Sequence, residues 1–273
     1  MNMERNKIKA CVLRVGGTNC DEETKTALED LGVKAEILHF KRLLKKGLLG
    51  YHLLVIPGGF SFGDYVRAGA IWGKQFFSKL KTDLSRFVEE GRLVLGICNG
   101  FQVLVEMGML PAFRGISDRP EASLAPNLSA KYECRWIRLK YVNRGKCAFT
   151  RKLSEGKILR IPVGHGEGRF LFAAEEKERE LGRLLRNDQL VFRYAKPNGE
   201  AAEGEYPHNP NGSLYDIAGI CNPKGNVFGL MPHPERAFYW WQAPDWTRRE
   251  AHPPHGDGWW ILESGIEYLT ENF

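Results

Sequence analysis

Short, nearly unbroken apolar runs alternate along this chain with longer amphipathic stretches. Lys9 to Val15 is a first apolar run, stopping at Gly16-Gly17-Thr18-Asn19. A helical pattern over about residues 21–31 follows, closed by Gly32, and Lys34 to Phe40 is a second run. A strand, a helix and a strand in this order predict a parallel sheet with right-handed crossovers. Leu53 to Ile56 is a third buried strand, ending in Pro57-Gly58-Gly59, and a helix is expected from near Tyr65 to about Glu90. The apolar run from Leu93 that stops at Gly96 is the fourth strand, and a helix follows it from Phe101 to Met107. Beyond a loop from Asp118 to Asn127, strands are expected at 134–140, 157–163, 189–194, 216–221 and 227–231. An exposed helix is expected over Glu175–Arg186, a tight hairpin turn at 222–226, and a last helix over Ile261–Thr270. The pattern is that of an α/β fold: a mostly parallel sheet with helices on both faces. The main domain is expected over residues 1–237. Residues 238–273, rich in Trp and Pro, read as a C-terminal arm and final helix packed on the same domain or on a partner.

Composition narrows the class. A chain of 273 residues, 43% hydrophobic and 26% charged, suffices for one large α/β domain. Its charged start, Met1 to Lys7, does not read as a signal peptide. No apolar run reaches the roughly 18–20 residues of a membrane span. The net charge of +6 is scattered, without an aromatic-interleaved basic stripe. A cytoplasmic protein that binds neither membrane nor nucleic acid is expected. The six cysteines include no Cys-x-x-Cys pair, which speaks against a zinc or redox motif. Cys11, Cys134 and Cys221 lie in or beside strand-like runs and read as core residues.

Chemistry concentrates at Gly96-Ile97-Cys98-Asn99-Gly100. A cysteine between a buried strand and a helix, with glycine two residues before and two after, is the thiol version of the nucleophile elbow. The turn is sharp and strained, and side chains at those two positions would collide as strand and helix cross. The helix also points its N-terminal dipole at the sulfur, which favours thiolate. The strand ending at Pro57 carries a Gly58-Gly59-Phe60 loop to the same rim of the sheet, where backbone N–H groups approach a ligand unobstructed. Far downstream, Pro232-His233-Pro234-Glu235 reads as an extended segment whose His and Glu point to one side, as a base and its orienter. His165 and Glu167 share that spacing, but among three glycines they suit a substrate lid or partner contact better. His252, His255 and Asp257 have no ligand spacing, so no metal is assigned. Gly16-Gly17-Thr18 reads as a simple turn, and His39 and His52 as surface or packing residues. Five Trp residues between Trp240 and Trp260 fit equally a docking surface or an arm packed on its own domain.

Together these segments resemble the triad, or class I, glutamine amidotransferases. The blocks Gly58–Ala70, Gly96–Gln102, Asn127-Leu128-Ser129 before Glu133–Trp136, His165–Phe170 and Met231–Arg236 resemble, in this order, the glutaminase subunits of phosphoribosylformylglycinamidine synthase. They span most of the chain, from near residue 14 to 238. Tyr132, where that family's motif has Phe, is a mild departure. The resemblance implies a single flavodoxin-like domain that hydrolyses L-glutamine to glutamate and ammonia. The ammonia would pass to a synthetase subunit that makes formylglycinamidine ribonucleotide in purine biosynthesis, often with a small third subunit. No cofactor is expected in this chain; ATP and Mg belong to the synthetase. The implied site has Cys98 as nucleophile, with His233 and Glu235 as its base and orienter. Gly59 and Asn99 would supply oxyanion N–H groups. Gly58, Phe60, Gln102, Asn127 and Ser129 would contact substrate, the last two at its α-amino and carboxylate groups. A DJ-1/PfpI-type hydrolase is the rival enzyme; it would place His soon after Cys, yet residues 99–110 hold none. A non-catalytic binding subunit is the third reading.

Overall fold

Burial of alternating apolar runs between amphipathic helices organises the chain around one large sheet. The computed structural model describes residues 3–117, 119–248 and 253–273. Met1 and Asn2, Asp118 at the start of the expected loop, and His252 of the metal rival lie outside the described residues. The first half contains β1 (Lys9–Arg14), α1 (Asp21–Asp30), β2 (Lys34–His39), α2 (Phe40–Lys46), β3 (Leu53–Ile56), α3 (Ala70–Glu89), β4 (Leu93–Ile97) and α4 (Asn99–Glu106). The second contains β5 (Ser123–Ala125), β6 (Glu133–Tyr141), β7 (Ile158–His165), β8 (Arg169–Leu171), α5 (Lys177–Arg186), β9 (Leu190–Ala195), β10 (Ile217–Cys221), β11 (Val227–Leu230) and α6 (Trp259–Asn272).

Nine strands form the main sheet in the order β2-β1-β3-β4-β11-β10-β9-β6-β7, while β5 and β8 pair separately. From β2 to β11 all neighbours are parallel, and this is the flavodoxin-like order with β11 as fifth strand. The tight turn at Asn222–Asn226 forces β10 antiparallel to β11. The sheet then continues antiparallel through β9, β6 and β7. The apolar runs of the second half correspond to β6, β7, β9, β10 and β11, and the expected hairpin at 222–226 joins β10 to β11; β5, inside the expected 118–127 loop, and β8 were not anticipated.

Helix α3 lays Trp72, Phe76, Leu80, Leu84 and Phe87, all buried, on the sheet at helical spacing. It starts at Ala70, five residues later than the apolar pattern suggests. Between β3 and α3 the backbone is left-handed at Phe62, Gly63, Asp64, Val66 and Gly69, so no helix can run through it. In the C-terminal arm, Ile261, Leu262, Ile266 and Leu269 of α6 join the same hydrophobic cluster as the sheet. Buried Glu263 pairs there with Arg5 at 2.6 Å.

Parallel register sets the functional rim. Ile56 lies beside Gly96, and Gly96 beside Gly229, so β3, β4 and β11 end together. Their loops carry Gly58-Gly59, Cys98 and His233 to one place.

Candidate active site

Cys98 occupies the elbow its glycines require. Its backbone stands at φ 50°, ψ −104°, a strained conformation for a residue with a side chain. A Cβ on Gly96 would come within 2.7 Å of the Gly100 carbonyl oxygen. A Cβ on Gly100 would sit 1.8 Å from the Ile56 carbonyl, so this glycine admits β3 as well as letting β4 and α4 cross. The Cys98 amide donates to Leu230 O at 2.8 Å, which ties the elbow to β11. The thiol is 4% exposed and rests toward the Gly164 carbonyl, 3.4 Å away.

Behind the thiol lies a buried imidazole–carboxylate pair. His233 Nδ1 is 2.6 Å from Glu235 Oε1, and both residues are almost fully buried. The spacing argument holds, but its geometry differs in detail: His233 is extended, whereas Pro234 opens a 3-10 turn through Ala237. Proline is compatible with a first helical position because its missing N–H has no partner to lose there. Burial pulls the His233 pKa down, but the Glu235 carboxylate and the nearby Cys98 outweigh it and hold it well above the ordinary histidine value. His233 Nε2, the nitrogen left over, is buried and without a hydrogen bond.

Cys20 is part of this cluster and was not legible as such. Its Sγ lies 3.8 Å from His233 Nδ1, and Arg236 Nη2 donates to it at 3.2 Å. Burial pushes the thiol up to about 11, so it is protonated at neutral pH. Cys20, His233 and Glu235 group their ligating atoms within 4.8 Å, but the Arg236 guanidinium and the Glu235–His233 bond already occupy those atoms.

The Gly16-Gly17-Thr18 turn has a use that its sequence hid. Phe60 N donates to Gly17 O at 2.8 Å and Phe62 N to Gly16 O at 2.9 Å, while Thr18 bridges Gly59. Gly59, at φ 148°, packs so closely that a Cβ would meet Gly17 O at 2.6 Å. The turn thus braces the Gly59 amide. Among the described residues neither the Gly59 nor the Asn99 N–H donates to another protein group, whereas Phe60 N–H is taken. Gly58 does not face the cavity; it makes room for the His233 ring, whose Cε1 would lie 2.6 Å from a Cβ there.

These groups border a cavity of about 120 Å³. Cys98 and Gln102 line it from the elbow, Gly59, Phe60 and Asp64 from the loop after β3, and Tyr132 and Gly164–Glu167 from the opposite side. Two larger surface cavities, of about 400 and 360 Å³, lie elsewhere and bring together no cysteine–histidine pair. Gln102 is where expected, although its amide is engaged: Oε1 accepts from Asn99 Nδ2 at 2.9 Å and Nε2 donates to Glu167 O.

Asn127 and Ser129, expected at the substrate's α-amino and carboxylate groups, have their side chains engaged within the protein. Asn127 Nδ2 donates to His165 O at 2.8 Å and to Lys131 O at 2.9 Å, and its Oδ1 accepts from Gly168 N at 3.1 Å. Ser129 Oγ donates to Glu133 Oε1 at 2.7 Å. Neither lines the cavity. Asn127 clamps the 164–168 loop at both ends, so its three glycines do not leave it loose. His165 is 2% exposed, held on Nδ1 by Asn127 Oδ1 at 3.1 Å and on Nε2 by Asn211 Nδ2 at 3.5 Å. Burial, with His233 nearby, pushes its pKa down to about 3, so it stays neutral. The other candidate histidines are structural: His39 and His52 accept backbone N–H groups of Lys41 and Lys9, and His255 stacks on Trp259 at 4.2 Å. Asp257 accepts Arg160 N at 2.7 Å.

Comparison with known proteins gives this geometry relatives. The profile of the CobB/CobQ-like glutamine amidotransferase domain matches residues 7–269. Phosphoribosylformylglycinamidine synthase subunit PurQ of Archaeoglobus fulgidus is 46% identical over 98% of this chain and all of its own length. The PurQ subunit of Thermus thermophilus is 44% identical over 83% of this chain and 88% of its own. Among solved structures, a chain of PurLQS from Thermotoga maritima superposes with a TM-score of 0.72 at 34% identity, covering 96% of this chain and 99% of that one.

Proposed function

The chain belongs to the CobB/CobQ-like glutamine amidotransferase family, among the PurQ subunits of phosphoribosylformylglycinamidine synthase, and from that premise we propose how its residues work. It is a glutaminase subunit of purine biosynthesis, the partner of a synthetase subunit. The observation that carries the mechanism is a strained, cavity-facing Cys98 backed by the buried His233–Glu235 pair.

L-Glutamine enters the cavity and its side-chain amide carbon meets Cys98 Sγ. The thiol turns from Gly164 O to His233 Nε2, which takes its proton as the C–S bond forms. Glu235 fixes the proton on Nδ1, leaves Nε2 as the acceptor, and stabilises the imidazolium. The amide oxygen becomes an oxyanion held by the free N–H groups of Gly59 and Asn99. Collapse expels ammonia, which leaves with the proton from His233 Nε2 and gives the thioester. Water, deprotonated by the same nitrogen, then attacks the thioester carbonyl; glutamate leaves and the thiol is restored.

Ammonia is consumed by the synthetase, where ATP and Mg act and where a small third subunit completes the assembly. A DJ-1/PfpI-type hydrolase is not favoured, since the imidazole that backs Cys98 comes from beyond β11 rather than from the elbow helix. Among the described residues no helix is long and apolar enough to cross a membrane. The test is glutamate release from L-glutamine by wild type and Cys98→Ala, alone and with the synthetase subunits. Release that partners enhance and Cys98→Ala abolishes is expected; release surviving in Cys98→Ala refutes the nucleophile.

A further inference from the structure

One charge beside the catalytic pair has no part in the proton transfers. His233 must be neutral to take the Cys98 proton, yet Glu235 and Cys98 hold its pKa well above the ordinary value despite burial. A cation near the imidazole works in the opposite direction. Arg236, the residue after Glu235, carries one there. Its Nη2 donates to Cys20 Sγ at 3.2 Å, and that sulfur lies 3.8 Å from His233 Nδ1. The guanidinium nitrogen is therefore within about 7 Å of Nδ1, close enough to be felt in a buried site.

Two neighbours fix Arg236 at that distance. Its Nε donates to Glu23 Oε1 of α1 at 2.7 Å, which draws the guanidinium outward. Cys20, 1% exposed, stands between guanidinium and imidazole. The Cys20 amide donates to Gly58 O at 3.3 Å and its thiol to Asn19 Oδ1 at 3.0 Å. A Cβ on Gly58 would meet Cys20 Sγ at 3.0 Å and His233 Cε1 at 2.6 Å, so glycine there lets sulfur and ring pack together. With its thiol pushed up to about 11 by burial, Cys20 is an uncharged spacer. Arg236 thus stays off its own sequence neighbour: among the described residues Glu235 Oε2, although buried, has no hydrogen bond. A direct Arg236–Glu235 fork would take the carboxylate from His233 Nδ1. The Glu235 charge still reaches the guanidinium: burial opposes the Arg236 cation, but Cys20, Glu23 and Glu235 outweigh it and raise its pKa. The other titratable groups facing His233 are Cys98 of the elbow, Tyr132 before β6 and His165 of β7. Burial keeps both Tyr132 and His165 neutral.

We propose that Arg236, spaced by Cys20 and anchored by Glu23, is a positioning residue whose cation offsets part of the Glu235 charge and sets the pH above which His233 acts as a base. The proposal rests on the glutaminase reading and adds to it three residues that touch neither substrate nor Cys98. Unit charges about 7 Å apart, offset in part by Glu23 and screened on the solvent side, displace a titration by about one pH unit.

The experiment measures kcat for glutamate release from L-glutamine between pH 5 and 10, in complex with the synthetase subunits. Arg236→Gln is expected to move the low-pH limb up by about one pH unit, opposite in sign to removal of Glu235. Glu23→Gln leaves the cation less opposed and should move that limb down by about half a unit. Arg236→Lys, which keeps the charge, should hold it within about 0.3 unit of wild type. Cys20→Ala opens the way from Nη2 to Glu235 Oε2, so kcat should fall about tenfold or more, and adding Arg236→Gln should recover most of that loss. Lost packing alone produces neither opposite shifts nor rescue by a second substitution. If Arg236→Gln leaves the limb in place or lowers it, or fails to rescue Cys20→Ala, the proposal is overturned and the glutaminase reading stands. Should Arg236→Gln not fold, the partly exposed Glu23→Gln decides by its sign: an unmoved or raised limb overturns the proposal. If wild type releases no glutamate with its partners bound, the glutaminase reading fails and takes the proposal with it.

Discussion

Glu235→Gln tests the logic of the site most directly, because it removes a charge and almost nothing else. The carboxylate is 1% exposed and 2.6 Å from His233 Nδ1. Charge centres about 4 Å apart interact by about 4 kcal/mol at an effective dielectric near 20. If His233 must become imidazolium as Cys98 attacks, losing that attraction slows kcat by roughly 10³-fold. Glutamine can also present its NH2 to Nδ1 and move the ring proton to Nε2, which blocks proton acceptance and adds to the loss. The pH dependence has a definite sign. His233 is held above its ordinary value near 6.5 chiefly because Glu235 and Cys98 outweigh burial. His233 must be neutral to take the thiol proton, so the variant's low-pH limb of kcat must move to lower pH. The same group contributes stability that is fully present below about 6.5 and is lost as pH rises through its folded value. Destabilisation by Glu235→Gln should thus be largest in mild acid and shrink in alkali. The assay is glutamate release from pH 5 to 10, paired with chemical denaturation at three pH values. A variant within about threefold of wild-type kcat, with an unmoved acid limb, would refute the assignment of Glu235.

Three further outcomes follow from individual contacts. Gly100→Ala places a methyl 1.8 Å from the Ile56 carbonyl, a backbone atom that cannot yield, so a loss above about 3 kcal/mol is expected in urea melts. Asp216→Ala strips the buried acceptor shared by Glu203 N, Gly204 N, Asn209 Nδ2 and Arg193. It should cost about 3–5 kcal/mol and, by loosening the loop that carries Asn211 against His165, raise KM for glutamine. Asp64→Asn should stabilise the protein: a carboxyl raised to about 6 by burial and Glu167 loses stability as pH climbs from about 4 through 6. Because Asp64 is only partly buried, it should give on the order of 1 kcal/mol at pH 7, vanishing below about pH 4, as melts across that range will read.

What the sequence revealed, and what it concealed, divides along range of interaction. The elbow was legible because steric demand is local: Gly96, Cys98 and Gly100 state their geometry within five residues. His233 and Glu235 were legible for the same reason, although Pro234 pairs them through a 3-10 turn rather than an extended strand. The strands of the main sheet followed from apolar runs, and the 222–226 turn announced the β10–β11 hairpin, but the placement of β9, β6 and β7 beyond it depends on which strand lies beside which, a choice made by packing. The surroundings of Asn127 were not legible because an amide suited to a polar substrate is equally suited to buried backbone groups, and here its side chain bonds three of them. Cys20 and the Gly16-Gly17 turn escaped because their importance lies across the rim, at His233 and Gly59, where no pattern within the chain could place them.

The strained residues cluster where those long-range choices meet. Cys98 has positive φ, and so do Phe62, Asp64 and Val66 in the loop that supplies Asp64 to the cavity. Each such residue costs about 1–3 kcal/mol, and persists only because its surroundings over-determine it. For Cys98 these are the hydrogen bond to Leu230 and the two close glycine contacts. For the loop they are Phe62 N on Gly16 O, Ala68 N on Glu167, and the Arg67–Glu106 ion pair at 2.7 Å. The two sets are not equally secure. The elbow is sealed in the core, whereas Tyr65 and Val66 stand 75% and 90% exposed and Arg67 is half-exposed. A perturbation at the surface therefore reaches Asp64 long before it reaches Cys98. Arg67→Ala should raise KM for glutamine while leaving the alkylation rate of Cys98 by iodoacetamide unchanged; an equal fall in both would mean that the loop and the elbow are one rigid unit.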